Sequence, residues 1–246
     1  MPVTYKKSMQ WHDLFLSLVA FVSELLGTLS GFGSSTFFMP IGVLIEKFNF
    51  ILALTAMLHV FGNVAKLVLF RKSFDFGLFL KLALPSMILA GGGAQLNRYV
   101  AFESLKIYLG IFIMLLAVLF FIRRNIIARL SVGKAAAAIG VSGFVTGLLG
   151  TGGALRGIAL AGLQLEKNSF VALSAGIDVG GDVIRAVIYL KNGYFDWSHW
   201  FYIPILLIAA YLGSTGGKFL LSKINQAQFE KVVMVFVFIS GLVLIL

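Results

Sequence analysis

The stretch Gly147-Leu148-Leu149-Gly150-Thr151-Gly152-Gly153-Ala154-Leu155-Arg156 decides how the chain is read: four glycines and then an arginine, with apolar sequence on both sides. Such flanks place the backbone inside a membrane and not in an aqueous loop. Glycine opens φ and removes side-chain bulk, so a helix can break there and its amides can be approached closely. Lipid tolerates a break only where protein or a water-filled cavity satisfies the freed groups. A second copy, Ser30-Gly31-Phe32-Gly33-Ser34-Ser35-Thr36, aligns Gly33 with Gly150, and the surrounding sequence can be followed through both halves. One glycine cluster is a weak signal; two in register, in halves of equal length, are a strong one.

Composition sets the class. Of 246 residues 59% are hydrophobic and 12% charged, and the mean hydropathy is +0.98, which describes an integral membrane protein. With no cysteine, disulfides, thiolate catalysis and cysteine metal sites are excluded. The formal charge of +10 reads as membrane topology, not as a nucleic-acid surface. Lys6 and Lys7 before the apolar run from Leu14 have the layout of a signal peptide, but Glu24 interrupts the run and no small-residue cleavage site follows. The segment is expected to stay as part of the first span.

At about 20 apolar residues per crossing, six spans stand out: Ile51 to Phe70, Gly77 to Leu96, Leu105 to Ile122, Ser169 to Leu190, Trp200 to Leu221 and Phe229 to Leu246. Two longer pieces remain, Leu14 to Ile45 and Ala135 to Leu165, each with a glycine cluster near its centre. At roughly 32 residues, or about 48 Å if straight, each is too long for one crossing and too short for two. A bent hairpin that enters, breaks at the glycines and returns fits that length. The expected fold is therefore an all-α integral membrane protein of two repeats, 1–124 and 125–246, each a re-entrant helical hairpin plus three transmembrane helices. An odd number of crossings per half makes the second repeat inverted relative to the first.

Leaving out the six basic residues within spans, the other 14 Lys and Arg divide nine to five. Arg71, Lys72, Arg123, Arg124, Arg129, Lys134, Lys167, Lys218 and Lys223 share the heavier side, so that side, with the basic linker 123–134, is expected to be cytoplasmic and both termini outside. A rival model in which Leu14 to Phe32 crosses fully and the repeats are parallel gives the same division, so charge alone does not choose. Past the hairpins the repeat continues. Gly62-Asn63-Val64-Ala65-Lys66 matches Gly181-Asp182-Val183-Ile184-Arg185, His59 matches Asp178 and Pro85 matches Pro204. The clusters Gly91 to Ala94 and Gly213 to Gly217 are expected to serve close helix packing.

This pattern resembles the sulfite exporter TauE/SafE family of membrane permeases over nearly the whole chain. The likeness rests on Gly31-Phe32-Gly33 with Pro40, on Gly147 to Gly153, and on the glycine clusters closing each half. It implies a secondary carrier of small sulfur-containing anions, such as sulfite, sulfoacetate or other organosulfonates, across a bacterial inner membrane. An anion channel, or an uptake permease for thiosulfate or a carboxylate, is the alternative. Ser34 and Ser35 stand where the family has a fuller glycine run, and Arg156 is matched by Met39, so the two halves of the site differ.

Two half-helix N-termini inside a bilayer make an anion cradle, because their orphan amides and helix dipoles are positive. Gly31, Gly33, Gly150, Gly152 and Gly153 would supply bare amides, and Ser34, Ser35 and Thr151 hydroxyls. Arg156 would either add a planar fork for the anion or form a structural pair with Glu24, Asp178 or Asp182. Asp178, Asp182 and Arg185 share one face of one helix, as a proton-coupling relay or as a locked ion network. His59 and Asn63 occupy the matching face of the earlier span; His59 is expected to be a proton carrier or, more often for such a residue, a neutral donor to a backbone carbonyl. Lys66 is expected to snorkel to the interface, and Glu24 to pair with Lys66, Arg156 or Arg185. Trp11, Trp197, Trp200 and Tyr202 read as interfacial anchors. His12, His59 and His199 are scattered and no catalytic triad or His-x-x-x-His pattern is present, so no enzyme, metal or cofactor is expected. The expected partners are a small anion and the lipid bilayer, with no nucleic acid; proton or sodium coupling and homo-oligomerisation stay open.

Overall fold

The computed structural model describes residues 11–99 and 130–245, with Ile111 and Met114 of the stretch between. The expected span Leu105 to Ile122, apart from those two helical residues, and the basic residues Lys106, Arg123, Arg124 and Arg129 lie outside the described residues, as do Lys6 and Lys7. Among the described residues the regular elements are all helical: α1 (Trp11–Ser30), α2 (Ser35–Val43), α3 (Phe48–Leu69), α4 (Phe76–Leu96), α5 (Val132–Leu149), α6 (Gly153–Ala161), α7 (Lys167–Lys191), α8 (Tyr202–Ser222) and α9 (Gln226–Ile245). Three begin where a side chain takes a first-turn amide: Asp75 accepts from Leu78 at 2.9 Å before α4, Ser131 from Lys134 at 3.5 Å before α5, and Glu166 from Asn168 at 3.0 Å before α7. Among the described residues five helices are long and apolar enough to cross a membrane: Trp11–Ser30, Phe48–Leu69, Phe76–Tyr99, Val132–Leu149 and Tyr202–Ser222. The chain is a multi-pass helical membrane protein.

Both long glycine-bearing pieces fold back on themselves. His12 at the start of α1 lies 4.0 Å from Glu46 beyond α2, and Leu130 N–H before α5 donates to Gly162 O beyond α6 at 2.8 Å. The arms are unequal, which their lengths did not foretell: α1 has 20 residues and α2 nine, α5 has 18 and α6 nine. In each hairpin a helix of nearly membrane length (about 27–30 Å) thus meets one of about 13 Å.

The helices α3 and α7, which carry the matching stretches Gly62 to Lys66 and Gly181 to Arg185, lie side by side and run antiparallel. Phe50, early in α3, stacks on Phe195 past the end of α7 with ring centroids 5.8 Å apart. Midway, Asn63 donates to Asp182 at 2.7 Å, and the far end of α3 shares a pocket with Asn168 at the start of α7. Around this pair α4 packs on α5 and α8 packs on α1. The glycine clusters serve these two contacts, as expected: a Cβ at Gly217 would come within 2.6 Å of Leu25 O, one at Gly213 within 2.8 Å of Phe21 O, and one at Gly93 would overlap Phe144 O. The outer faces expose Leu80, Leu84, Ile88, Val141 and Ile208, which suits lipid contact.

Trp11, Trp197 and Trp200 are exposed at helix ends, as interfacial anchors would be. Tyr202 is not: it is buried, and its hydroxyl donates to the buried Asp13 carboxylate at 2.7 Å. Sequence position near a span end misled there because the partner acid lies in α1, far away along the chain.

Candidate functional site

Each hairpin breaks at its glycines. Gly33 (φ +86°) and Gly150 (φ +77°), the pair in register, both take the left-handed conformation that a side chain would strain. At Gly150 this ends α5 with the amide bonded to Thr146 O at 2.9 Å. The carbonyls that α5 leaves open find side chains from other helices: Tyr189 donates to Gly147 O at 2.5 Å and Asn97 to Leu148 O at 2.6 Å.

The two breaks meet. The carbonyls of the first are taken by the second half of the chain: Ser174 of α7 donates to Gly31 O at 2.5 Å, and Arg156 of α6 donates through Nη2 to Phe32 O at 2.6 Å. Gly153 abuts the same Phe32 carbonyl, so a Cβ there would overlap it. In return Gly150 lies against Leu52 of α3 and Met39 of α2. Gly31, Gly33, Ser34, Ser35, Gly150, Thr151, Gly152, Gly153 and Arg156 therefore belong to one buried region.

At the N-terminus of α2 the hydroxyls of Ser34, Ser35 and Thr36 are buried and have no hydrogen-bond partner among the described residues. Such groups cost free energy until something polar meets them. The Ser35 amide, one of the first-turn donors, is taken by Nε2 of His59 at 2.8 Å. The His59 ring lies directly under Gly33, where a Cβ would come within 2.9 Å of Cε1.

The charged side chains are buried and pair with one another. Arg156 uses its whole fork on the protein: Nη1 to Asp178, Nε to Ser174 Oγ at 2.9 Å, and Nη2 to Phe32 O. Of the partners open from sequence, Asp178 is the one it has. Asp182 accepts from Asn63, from Arg185 Nε at 2.8 Å, and faces His59 Nδ1 across 3.3 Å. Arg185 differs from Arg156 in that both its terminal nitrogens are buried with no hydrogen-bond partner among the described residues. Glu24 pairs with Lys66 at 2.8 Å and accepts from Ser214 at 3.0 Å. The expectation that Lys66 snorkels is thus overturned: it is buried, held by Glu24. Of the two roles expected for His59, the structure departs from the neutral donor to a carbonyl: the ring accepts a backbone amide instead.

The ligand atoms of His59, Asp178 and Asp182 lie within 4.8 Å of one another. Two guanidiniums already bind the two carboxylates, and a neutral His59 whose Nε2 accepts from Ser35 carries its proton on Nδ1. That donor set is a hydrogen-bonded network and not a cation cage. Sequence reasoning missed Thr36 and Ser174. Ser174 had a signal, for it sits one turn before Asp178 on the same face of α7; Thr36 had none beyond adjacency to the glycine-serine run.

Broken hairpins meeting inside a bundle of apolar spans, around buried charge, define a membrane permease. The model of the family described as Sulfite exporter TauE/SafE matches residues 16–244, and the chain belongs to that family of membrane transporters, which are sulfite-type anion exporters and not enzymes. No curated protein and no solved structure matches it.

Proposed function

We propose that the chain is a secondary carrier that exports small sulfur-containing anions, such as sulfite, sulfoacetate or other organosulfonates, across the bacterial inner membrane by alternating access. The anion is held between the two breaks by the first-turn amides of α2 and α6 and by the hydroxyls of Ser34, Ser35, Thr36 and Thr151. Gly31, Gly33, Gly150, Gly152 and Gly153 keep those amides bare. Arg156 acts as the clamp that holds the two breaks together. The observation that carries this reading is the row of three buried, unpartnered hydroxyls at a helix N-terminus beside the meeting point of the breaks.

Residues 1–124 and 125–246 are the two inverted repeats, with the basic linker 123–134 cytoplasmic and the termini outside. The antiparallel run of the equivalent helices α3 and α7 supports inversion, because repeats related by an axis along the membrane normal would run parallel. The return of each hairpin to its starting side supports it too.

Calorimetry on purified protein with sulfite, sulfoacetate, taurine, thiosulfate and simple carboxylates tests the reading. Sulfur oxyanions should bind, and Ser34→Ala with Ser35→Ala should weaken them at least about tenfold, the loss of one or two charge-assisted hydrogen bonds. Unchanged affinity in that double variant would remove the cradle. Single-channel currents in a planar bilayer would replace the carrier by a channel.

A further inference from the structure

We infer that His59 is a proton-operated stopper of the anion cradle, so that one proton and one monovalent anion enter the site together; the inference rests on the anion site proposed above. The Ser35 amide is a donor that an anion at the α2 N-terminus would use, and Nε2 of His59 holds it at 2.8 Å. A neutral ring can do so only while Nε2 has its lone pair. A proton arriving at Nε2 ends that bond. The amide and the new Nε2–H are then two donors directed at one small volume, beside the unpartnered hydroxyls of Ser34, Ser35 and Thr36. An anion is the group that satisfies both.

Charge balance in the buried network points the same way. The groups that face His59 or join its network are Asn63 and Lys66 on its own helix, Asp178, Asp182 and Arg185 on α7, Arg156 on α6 and Glu24 on α1. Glu24, Asp178 and Asp182 match Lys66, Arg156 and Arg185 one for one, so the network is neutral when the ring is neutral. A proton alone would leave one uncompensated positive charge away from water, and an anion alone one negative charge. Either is costly inside a membrane. Both together restore neutrality, which makes the two binding events mutually favourable by the same factor. Nδ1, which faces Asp182, ties the imidazolium to the second half of the chain, so filling the site strengthens the contact between the halves.

The test uses methanesulfonate, a monoanion with no proton of its own to exchange near neutrality, and calorimetry of the full chain in buffers of differing ionisation heat. The expected result is uptake of up to one proton per anion, with the dissociation constant weakening by up to tenfold for each pH unit over which a full proton is taken up. His59→Gln can still accept from the Ser35 amide but cannot take the proton, so uptake and pH dependence should both vanish. Binding by the wild-type chain with no proton uptake at any pH would overturn this inference while leaving the anion site in place. An unchanged pH slope in His59→Gln would do the same. Absence of methanesulfonate binding to the wild-type chain anywhere between about pH 5 and pH 8 would instead count against the anion site itself, and this inference would fall with it.

Discussion

Replacing Arg156 by alanine removes a clamp with three jaws, and the structure shows what each leaves behind. Asp178, 6% exposed, loses the guanidinium bound to Oδ1, and its Oδ2 has no partner to compensate. Phe32 O and Ser174 Oγ each lose a donor. Breaking one partner of a buried ion pair costs about 3–5 kcal/mol, whereas hydrogen bonds between membrane helices are each worth only about 0.6 kcal/mol on average. The stranded carboxylate therefore dominates, and the folded-to-unfolded ratio should fall by at least roughly a hundredfold. The assay is reversible unfolding in mixed micelles, followed by the fluorescence of Trp11, Trp197 and Trp200. Adding Asp178→Ala to Arg156→Ala removes the stranded charge, so the double variant should be more stable than the sum of the singles by about 2 kcal/mol or more. Arg156→Lys keeps the charge but cannot reach three acceptors in different directions, and should fall between wild type and alanine. A cost under about 1 kcal/mol for Arg156→Ala, with the cycle additive to within about 0.5 kcal/mol, would refute the clamp.

Three further outcomes are expected. Lys66→Met should destabilise the chain by stranding Glu24, and Glu24→Gln added to it should restore much of the loss, measured by the same unfolding assay. Gly33→Ala should cost about 1–2 kcal/mol, since the added methyl meets His59 and the left-handed backbone is strained for any other residue. Outside the spans, the backbone N–H of Ser198 holds the Asp196 carboxyl below the usual range. A depressed folded value means that the stabilisation is present near neutral pH and is lost as pH falls through the folded titration. The protection of the Ser198 amide, the intrinsic exchange rate at the same pH divided by the observed one, should therefore fall on acidification, and Asp196→Ala should remove that acid step.

The hairpins were legible because glycine breaks and apolar run lengths are properties of single segments. Gly33 and Gly150 were paired by register alone, and both take the same left-handed backbone. Partners were far less legible. The acid for Arg156 was one of three candidates, and Lys66 was assigned to the interface when Glu24 holds it in the interior, because side-chain direction depends on which helix packs opposite. Tyr202 failed for the same reason. That the His59 ring takes the Ser35 amide was beyond reach, since it is a contact between segments that no spacing encodes.

Asn63 and Asp182 occupy corresponding places in the two halves, and they bond to each other. A place that meets its own counterpart is a constrained one: in a pair of identical subunits it would bring like against like, and two aspartates there would repel. A single polypeptide with two separately mutable halves escapes that restriction, because an amide can be set against a carboxylate. The asymmetry that gives this network its fixed donors and acceptors is open to a fused chain and closed to a pair of identical subunits.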